Sequence, residues 1–493
     1  MKNISKILFF VAALCLSSCY EDEGNYDYQT LPEVHISGIP KTVQAYVGTE
    51  LELPIEIEYE NGKYTDVSYE WRVQGEVISR DKDLNIVVNF EPKLGLRGDF
   101  SVIDNVSGVR TIQTFELNVN AEFARGWLVL SNEGDRSELS YVRLDNKVYA
   151  NIYEKMNEEM LSPNAVQIKE HWLPWSTSTG ELFIGTPEGP NHSVELDGNS
   201  LKKMVYNKDE FLNGAPDDFA PVAFEAVTNW DYMISNKKLY TRYVRSMWDA
   251  KYHEGKFVPV AVPGEYELSH ITFRGNLVFS TDVYAFDNLS KSYILLRDGL
   301  MSKFNTEKDT GKAFNPSNMG KTLLACTAIA VDTPTDEFVS ILKGDDRKYY
   351  MQHFRFRGWY NKRFTSLAEK EIPNPELVEP HSQWAICMGR PYAYFNSGNK
   401  LYCYNYDANT VRELEGTQFD GKIKAIAINP TNPEHLAVAV ENKDNSERSD
   451  FMVLNVSVVE DGKIIEGTLQ KAAFGNVNHI SYKVGNQWDL SGN

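Results

Sequence analysis

Histidines, cysteines and carboxylates are the side chains of this chain most able to do chemistry. The nine histidines form no His-Glu-x-x-His pattern, no two of them stand at helical spacing, and no Cys-x-x-Cys pair occurs, which argues against a zinc hydrolase. A Gly-x-Ser-x-Gly elbow, a P-loop and a Gly-x-Gly-x-x-Gly turn are absent too. With 69 Asp and Glu residues, a glycosidase pair stays open, but spacing alone selects none. The sequence therefore predicts no catalytic residue, no metal site and no cofactor.

Aromatic side chains are the one positive signal for binding. They make up 12% of the chain, and aromatic faces bind sugar rings and apolar peptide side chains at small entropic cost. Most of them are expected to pack the cores. Four tryptophans have polar or turn-forming neighbours and are predicted to lie near strand ends and to contact a ligand: Trp172, Trp175, Trp230 and Trp248.

The first two dozen residues carry a targeting signal. Lys2 and Lys6 form a short positive region, and residues 7–16 (ILFFVAALCL) form an apolar run of signal-peptide length that is too short to span a bilayer. The run ends at Leu16-Ser-Ser-Cys19, which resembles the lipobox of bacterial lipoproteins, in which the cysteine is lipidated and becomes the first residue. A cleaved secretory signal with an incidental cysteine is the alternative.

The residues after Cys19 point to the cell surface. Glu21, Asp22 and Glu23 form an acidic cluster that looks like the export signal that sends Bacteroidota lipoproteins through the outer membrane. The mature chain is therefore expected to begin at Cys19, to hang from an acyl anchor and to face the outside. No other segment approaches the roughly 18 uninterrupted apolar residues of a membrane-spanning helix.

Three cysteines remain for the mature body, because Cys15 leaves with the signal and Cys19 takes the lipid. Cys326, Cys387 and Cys403 lie in apolar or aromatic runs. Their odd number, without metal-ligand spacing, predicts buried free thiols. A single Cys387–Cys403 bridge stays open.

Charge and length narrow the class of protein further. Lys and Arg number 50 against 69 Asp and Glu, which gives a formal charge of −19. This balance argues against nucleic-acid binding and against electrostatic docking on anionic lipid. At 493 residues the chain is too long for one ordinary core, so two domains are expected.

Short strands fill residues 32–122. Residues 50–58 (ELELPIEIE) and 113–119 (QTFELNV) alternate polar and apolar side chains with the period of a half-buried strand. Roughly seven such strands with one central tryptophan, Trp71, are typical of an Ig-like sandwich, in which Trp71 fills the space between the sheets. The preceding residues, 19–31, are polar and lack periodicity, as suits a tether.

From residue 123 to residue 493 the pattern becomes a series of two-strand units. The clearest unit runs from Tyr392 to Asn405, where two strands flank an Asn-Ser-Gly-Asn turn. Seven units at a mean spacing of roughly 50 residues are typical of propeller blades. The predicted fold is all-β: a signal peptide (1–18) and a tether (19–31), then a PKD/Ig-like β-sandwich (32–122), then a β-propeller-like domain of about seven blades (123–493). A long irregular β-sandwich or two sheet domains are the alternatives for the last region.

The start of the mature chain, Cys19-Tyr-Glu-Asp-Glu-Gly-Asn-Tyr-Asp-Tyr28, resembles the PKD-like family lipoproteins of Bacteroidota. Leu31-Pro-Glu-Val34 and Tyr69-Glu-Trp71 stand where that family's first domain has them, although Val73-Gln-Gly75 replaces the Asp-Gly that usually follows the PKD tryptophan. The resemblance covers the signal, the tether and the first domain, and it reaches the C-terminal region by size and strand pattern only. It implies an accessory protein of SusC/SusD-type importers and assigns no catalytic residue.

The sequence thus predicts a non-enzymatic, surface-exposed outer-membrane lipoprotein that binds or helps deliver an oligopeptide or an oligosaccharide. Its predicted partners are a SusC-like TonB-dependent transporter and a SusD-like lipoprotein. Two alternatives remain open. One is a surface hydrolase with its active site in the propeller funnel, and the other is a purely structural subunit without a ligand.

Overall fold

The computed structural model describes residues 31–171, 180–189, 191–227, 229–244, 255–275, 282–304, 313–330, 335–357, 363–416 and 418–485. Almost all of the regular structure in these ranges is β-strand. The chain divides into two compact units, Met1–Asn120 and Ala121–Asn493. Within the described ranges, no helix is long and apolar enough to cross a membrane.

The described part of the first unit contains nine strands in three sheets. These strands are β1 (Glu33–Ser37), β2 (Thr42–Tyr46), β3 (Glu50–Leu53), β4 (Glu56–Glu60), β5 (Val67–Val73), β6 (Glu76–Ser79), β7 (Leu84–Val87), β8 (Lys93–Asp104) and β9 (Arg110–Asn120). One sheet has the order β2-β9-β8-β5-β6, while β1 pairs with β4 and β3 pairs with β7. The β2–β9 pair is parallel and the other pairs are antiparallel.

Trp71 on β5 lies at the centre of this unit's core. Its side chain is fully buried, and its ring centroid lies 4.5 Å from that of Phe100 and 5.9 Å from that of Phe115. Its indole Nε1 donates to the carbonyl of Asp81 at 3.1 Å. The core takes residues from the five-stranded sheet and from the β3–β7 pair, so the prediction that Trp71 fills the space between the sheets is confirmed.

The described part of the second unit forms seven consecutive antiparallel sheets. The first sheet contains β10 (Gly126–Glu133), β11 (Arg136–Arg143), β12 (Val148–Tyr149) and the last described strand, β36 (Asn476–Lys483). The second contains β13 (Gln167–His171), β14 (Glu181–Gly185), β15 (Val194–Asp197) and β16 (Lys203–Tyr206). The third contains β17 (Pro221–Val227), β18 (Trp230–Ser235) and β19 (Lys238–Tyr243). The fourth contains β20 (Val283–Asp287), β21 (Ser292–Arg297) and β22 (Leu300–Lys303).

Three further sheets and three short helical segments complete the described part of this unit. The fifth sheet contains β23 (Lys321–Ala330), β24 (Thr335–Gly344), β25 (Tyr349–Arg357) and β26 (Arg363–Glu371). The sixth contains β27 (Trp384–Ile386), β28 (Tyr392–Ser397), β29 (Lys400–Asn405) and β30 (Thr410–Glu413). The seventh contains β31 (Ile423–Asn429), β32 (Asn432–Asn442), β33 (Asn445–Asn455), β34 (Lys463–Ile464) and β35 (Gln470–Phe474). The helical segments are α1 (Ile152–Asn157) and the 3₁₀ turns Asn207–Glu210 and Pro375–Leu377.

The first sheet has the order β12-β11-β10-β36, so the last strand among the described residues pairs with the first described strand of this unit. A series of small antiparallel sheets completed in this way is the arrangement of a β-propeller. The predicted all-β fold, a sandwich followed by a propeller-like domain of about seven blades, is confirmed.

Local features of the sixth sheet agree with the sequence pattern. The hairpin predicted from Tyr392 to Asn405 is present as β28 and β29, and Gly398 in its turn has a φ of 57°, a conformation that glycine adopts easily. Cys387 and Cys403 are buried free thiols, and Cys326 is a half-buried free thiol. The two buried cysteines therefore form no bridge.

Candidate binding cavity

A cavity of about 270 Å³ lies where the innermost strands of several sheets meet. Strand β13 lies beside β17 and β36, β23 lies beside β27, and β31 lies beside β27 and β36. Residues 272–275 precede the fourth sheet and lie beside β17, where Arg274 Nη1 donates to the carbonyl of Ala226 at 2.9 Å. The polar part of the lining includes Lys169, Glu170, Thr272, Arg274, Thr327 and Ser481.

Glu225 on β17 joins three segments at one side of this cavity. Its side chain is 1% exposed, and its carboxylate forms an ion pair with Lys169 of β13. It also accepts a hydrogen bond from Thr272 Oγ1 at 2.9 Å, and its Oε2 lies 3.9 Å from Arg274 Nε. A buried carboxylate is costly without such partners. Glu225 therefore holds the two cations at the cavity wall.

Glu170 joins the end of β36 to the second sheet. Its carboxylate accepts the backbone N–H groups of Val484 at 2.8 Å and Gly485 at 3.0 Å, and it lies 3.8 Å from Lys483 Nζ. Burial lowers the pKa of Lys483 to about 8, and Glu170 opposes this shift. Gly485 has a φ of 81°, and a Cβ there would lie 2.6 Å from the carbonyl oxygen of Ala124, so this position requires glycine.

His479 lies on β36, two residues before Ser481 of the cavity lining. Its pKa is lowered to about 4, first by burial and then by the neighbouring His270 and Lys169. Burial also lowers the pKa of His270. Both imidazoles are therefore neutral at physiological pH.

A second group of buried charges links the second and third sheets. Arg242 on β19 is 2% exposed, and it forms ion pairs with Glu210 and with Asp231, whose Oδ2 lies 2.6 Å from Nη2. Burial raises the pKa of Asp231, and burial together with Glu210 raises the pKa of Glu195. The guanidinium also lies 4.6 Å from the ring centroid of Phe257. These side chains are all buried, so the cluster connects the sheets and offers no surface to a ligand.

One group among the described residues has the composition of a metal site. Glu33 and His35 on β1 and Glu60 on β4 each place one ligand atom within 4.8 Å of the others. Their side chains are 63%, 51% and 66% exposed, and His35 Nε2 lies 3.7 Å from Glu60 Oε1. Exposed ion pairs of this kind form without a metal ion, so the geometry alone assigns no metal here.

Trp230 is the one predicted ligand-contacting tryptophan among the described residues. It is half-buried at the start of β18, its ring centroid lies 5.3 Å from that of Tyr243, and a Cβ on Gly299 would lie 2.3 Å from its ring. Trp230 is not part of the cavity lining, and its contact with a ligand stays a prediction. The other predicted site residues lie outside the described residues: Trp172, Trp175, Trp248, Cys19, Glu21, Asp22 and Glu23.

Lys169 and Arg274 are the cavity residues that sequence reasoning missed. Lys169 follows Ile168, which is buried in the core, and Arg274 follows the buried Phe273. The sequence signal that could have identified them is a positively charged residue within a short run of apolar residues that pack between the sheets. A buried or half-buried cation in such a run needs a carboxylate partner, but the sequence does not say which of its 69 acids that is.

Comparisons with known proteins give distant structural similarities, and no curated protein matches the chain. A quinonprotein alcohol dehydrogenase-like protein from Bacteroides thetaiotaomicron is 12% identical with a TM-score of 0.44, covering 92% of this chain and 99% of that chain. A DUF4784 family protein from Bacteroides caccae is 10% identical with a TM-score of 0.32, covering 91% and 98%. The β-propeller domain of Swd1 from Myceliophteria thermophila is 9% identical with a TM-score of 0.37, covering 64% and 96%. At these TM-scores none of them informs function, and the fold assignment rests on the seven sheets themselves.

One family match covers the N-terminal part of the chain. The model of the PKD-like family matches residues 19–164. This range includes the nine described strands of the first unit and continues through β10, β11, β12 and α1 of the second. The N-terminal region of this chain is therefore similar to the PKD-like family over these residues.

Proposed function

We propose that this chain is a surface-exposed outer-membrane lipoprotein that binds one unit of a nutrient oligomer in the central cavity and serves a SusC/SusD-type importer without catalysing a reaction. The observation that carries the binding role is the cavity, where the protein itself holds the one carboxylate of the lining, Glu170, and the neighbouring carboxylate of Glu225. Glu170 accepts two backbone N–H groups, and Glu225 is paired with Lys169. General acid–base catalysis needs a carboxyl group that exchanges a proton with the substrate, whereas these two carboxylates support the wall.

The size of the cavity supports a ligand unit of one ring. Its volume is about 270 Å³, and an engineered cavity of about 150 Å³ is large enough to bind benzene. A single sugar ring or amino-acid residue therefore fits, and the rest of an oligomer remains outside. The hydroxyl groups of Thr327 and Ser481 in the lining can exchange hydrogen bonds with such a unit.

In this proposal, the lipid on Cys19 attaches the protein to the membrane. Changing Cys19 to Ala should release the protein from membranes, because an unlipidated chain has no acyl anchor. Changing Glu21, Asp22 and Glu23 together to Ala should leave it membrane-bound but protected from protease added to intact cells. Fractionation and protease shaving measure the two outcomes. A triple variant that is still cleaved on intact cells would rule out the export role of the acidic cluster.

Ligand binding is tested on the detergent-solubilised protein with panels of oligosaccharides and oligopeptides. Calorimetry measures binding, and chromatography of the incubated ligands measures cleavage. Binding without cleavage supports the proposal, whereas cleavage would favour the surface hydrolase. If no ligand bound but the protein still co-purified with importer components, the structural-subunit alternative would replace the binding role.

The importer partnership is tested by affinity purification from native membranes followed by mass spectrometry. Recovery together with a SusC-like transporter and a SusD-like lipoprotein is expected. The contact should rely on apolar and hydrogen-bonded groups, because the acidic chain gains little from charge alone when its partner is acidic too. Recovery of this protein alone, from a preparation in which known importer complexes stay intact, would contradict the partnership.

A further inference from the structure

We propose that the central cavity selects an acidic sugar residue and that Lys169 and Arg274 receive its carboxylate. This inference rests on the proposed function, because it names the ligand class of the same cavity. The side chains of Lys169 and Arg274 are 27% and 20% exposed at the cavity wall. The two carboxylates beside them are nearly buried, with Glu225 1% and Glu170 8% exposed. The charged groups most open to an entering ligand are therefore the two cations.

This local charge is opposite to that of the chain, which carries a formal charge of −19. A positive site on an acidic protein is not explained by the general composition of its surface. Concave walls of low dielectric constant concentrate the field of such charges and attract ligands of opposite sign. Burial is the first cause of the lowered pKa of His479, and His270 and then Lys169 add to it, so the charge of Lys169 also acts on this neighbouring side chain.

The remaining lining narrows the ligand class. A guanidinium can bind a carboxylate through two parallel hydrogen bonds, and a lysine acts as a point charge. Thr327 and Ser481 add hydroxyl groups, and Met388 adds an apolar surface. A ring that carries one carboxylate and several hydroxyl groups, such as a hexuronate, uses all of these groups. A neutral hexose lacks the carboxylate, and an acidic peptide side chain lacks the ring hydroxyls.

Calorimetry on the detergent-solubilised full-length protein tests this selectivity. The probes are D-glucuronate oligomers, D-glucose oligomers of the same length and linkage, and glutamate-rich peptides. The glucuronate oligomers should bind about tenfold or more tightly than the glucose oligomers, the ratio expected for one hydrogen-bonded charge pair. Arg274→Gln should remove this ratio, and Arg274→Lys should keep most of it. Arg412→Gln, at a half-exposed arginine outside the lining, is the matched control.

A second readout needs no variant of the cavity and remains available if Arg274→Gln fails to fold. A bound carboxylate offsets the charge of Lys169, so saturating glucuronate should raise the pKa of His479 in a histidine NMR titration, and glucose should not. Equal affinities for the two glycans, or an unmoved pKa of His479, would overturn the inference while leaving the proposed binding function in place. Tighter binding of the peptides than of either glycan would overturn it in favour of a peptide ligand. Failure of every glycan and peptide to bind would overturn both.

Discussion

The core of the first unit is one apolar cluster around Trp71, whereas the second unit places buried ion pairs between its apolar clusters. In the first unit Trp71 packs against Phe100 and Phe115. In the second, Arg242 and Asp231 are 2% and 1% exposed where the second and third sheets meet. The two units therefore differ in the kind of interaction that holds their sheets together.

This difference has a geometric origin. A sandwich brings two apolar faces together, and large side chains fill the space between them. A propeller packs each sheet against two neighbours and also brings the first strands of all sheets together at the centre, where polar side chains meet and must find partners. We therefore expect the stability of the first unit to fall most when a core side chain is truncated. The stability of the second unit should fall most when a buried charge is removed or the pH changes.

Removal of the central tryptophan should have the largest effect. Trp71→Ala should lower the free energy of unfolding of the first unit by ~3–5 kcal/mol, because it leaves a cavity and removes the hydrogen bond to the carbonyl of Asp81. Small domains are stable by only about 5–15 kcal/mol, so the first unit should unfold early in urea while the second keeps its own transition. Urea denaturation of the full chain, followed by circular dichroism, measures both transitions.

The matched control for this prediction is Val106→Ala, at a side chain that is 77% exposed. Exposed substitutions usually change stability by less than about 0.5 kcal/mol. If Trp71→Ala and Val106→Ala shifted the first transition equally, Trp71 would not hold this core.

The sequence pattern was sufficient for the sandwich and for the repeated hairpins, since both depend on local signals. The alternation in residues 50–58 and the turn at Gly398 act over a few residues, where strand period and turn chemistry decide the structure. The single Trp71 in the middle of a strand identified the core of the first unit for the same reason. Local pattern therefore predicted the architecture.

The cavity could not be predicted in the same way, because its residues come from segments far apart in the chain. Lys169 and Glu225 meet only when the second and third sheets pack. Polar neighbours were also a poor guide to exposure. Asp231 is one of the polar neighbours that predict a strand end at Trp230, and Trp230 does begin β18, but Asp231 itself is buried with its ion pair to Arg242. Pairing between distant charges thus reverses the usual rule that a charged residue marks the surface.

Loss of the buried guanidinium should have the next largest effect and should act on the second unit. Arg242→Met keeps most of the side-chain volume but leaves Asp231 and Glu210 buried without their cation, which should cost about 3 kcal/mol near neutral pH. The cost should shrink as the pH falls, because protonation removes the charge of the carboxylates. Urea denaturation at several pH values measures the dependence.

The control for this prediction is another arginine–carboxylate pair of the same unit. Arg412 is 50% exposed and pairs with Asp461, and exposed pairs contribute at most about 1 kcal/mol. Arg412→Met should therefore change stability little and should show no recovery at low pH. Equal losses for Arg242→Met and Arg412→Met would show that burial of the charges does not distinguish the two pairs.

The smallest expected effect is the loss of stability at low pH that protonation of His479 causes. The His479 imidazole has a pKa of about 4 in the folded protein, against 6.5 for an ordinary histidine side chain, so between these values the unfolded chain binds the proton more tightly. Its contribution to stability is complete above pH 6.5 and is lost as the pH falls toward 4, by roughly 2 kcal/mol between about pH 7 and about pH 5. His479→Gln should flatten this part of the pH profile of the second unit in urea denaturation, and the exposed His381→Gln should not.

A wild-type profile that matched that of His479→Gln over this range would show that the imidazole is not held neutral in the folded protein. Because Lys169 contributes to the shift, that outcome would also weaken the case for positive potential beside the cavity.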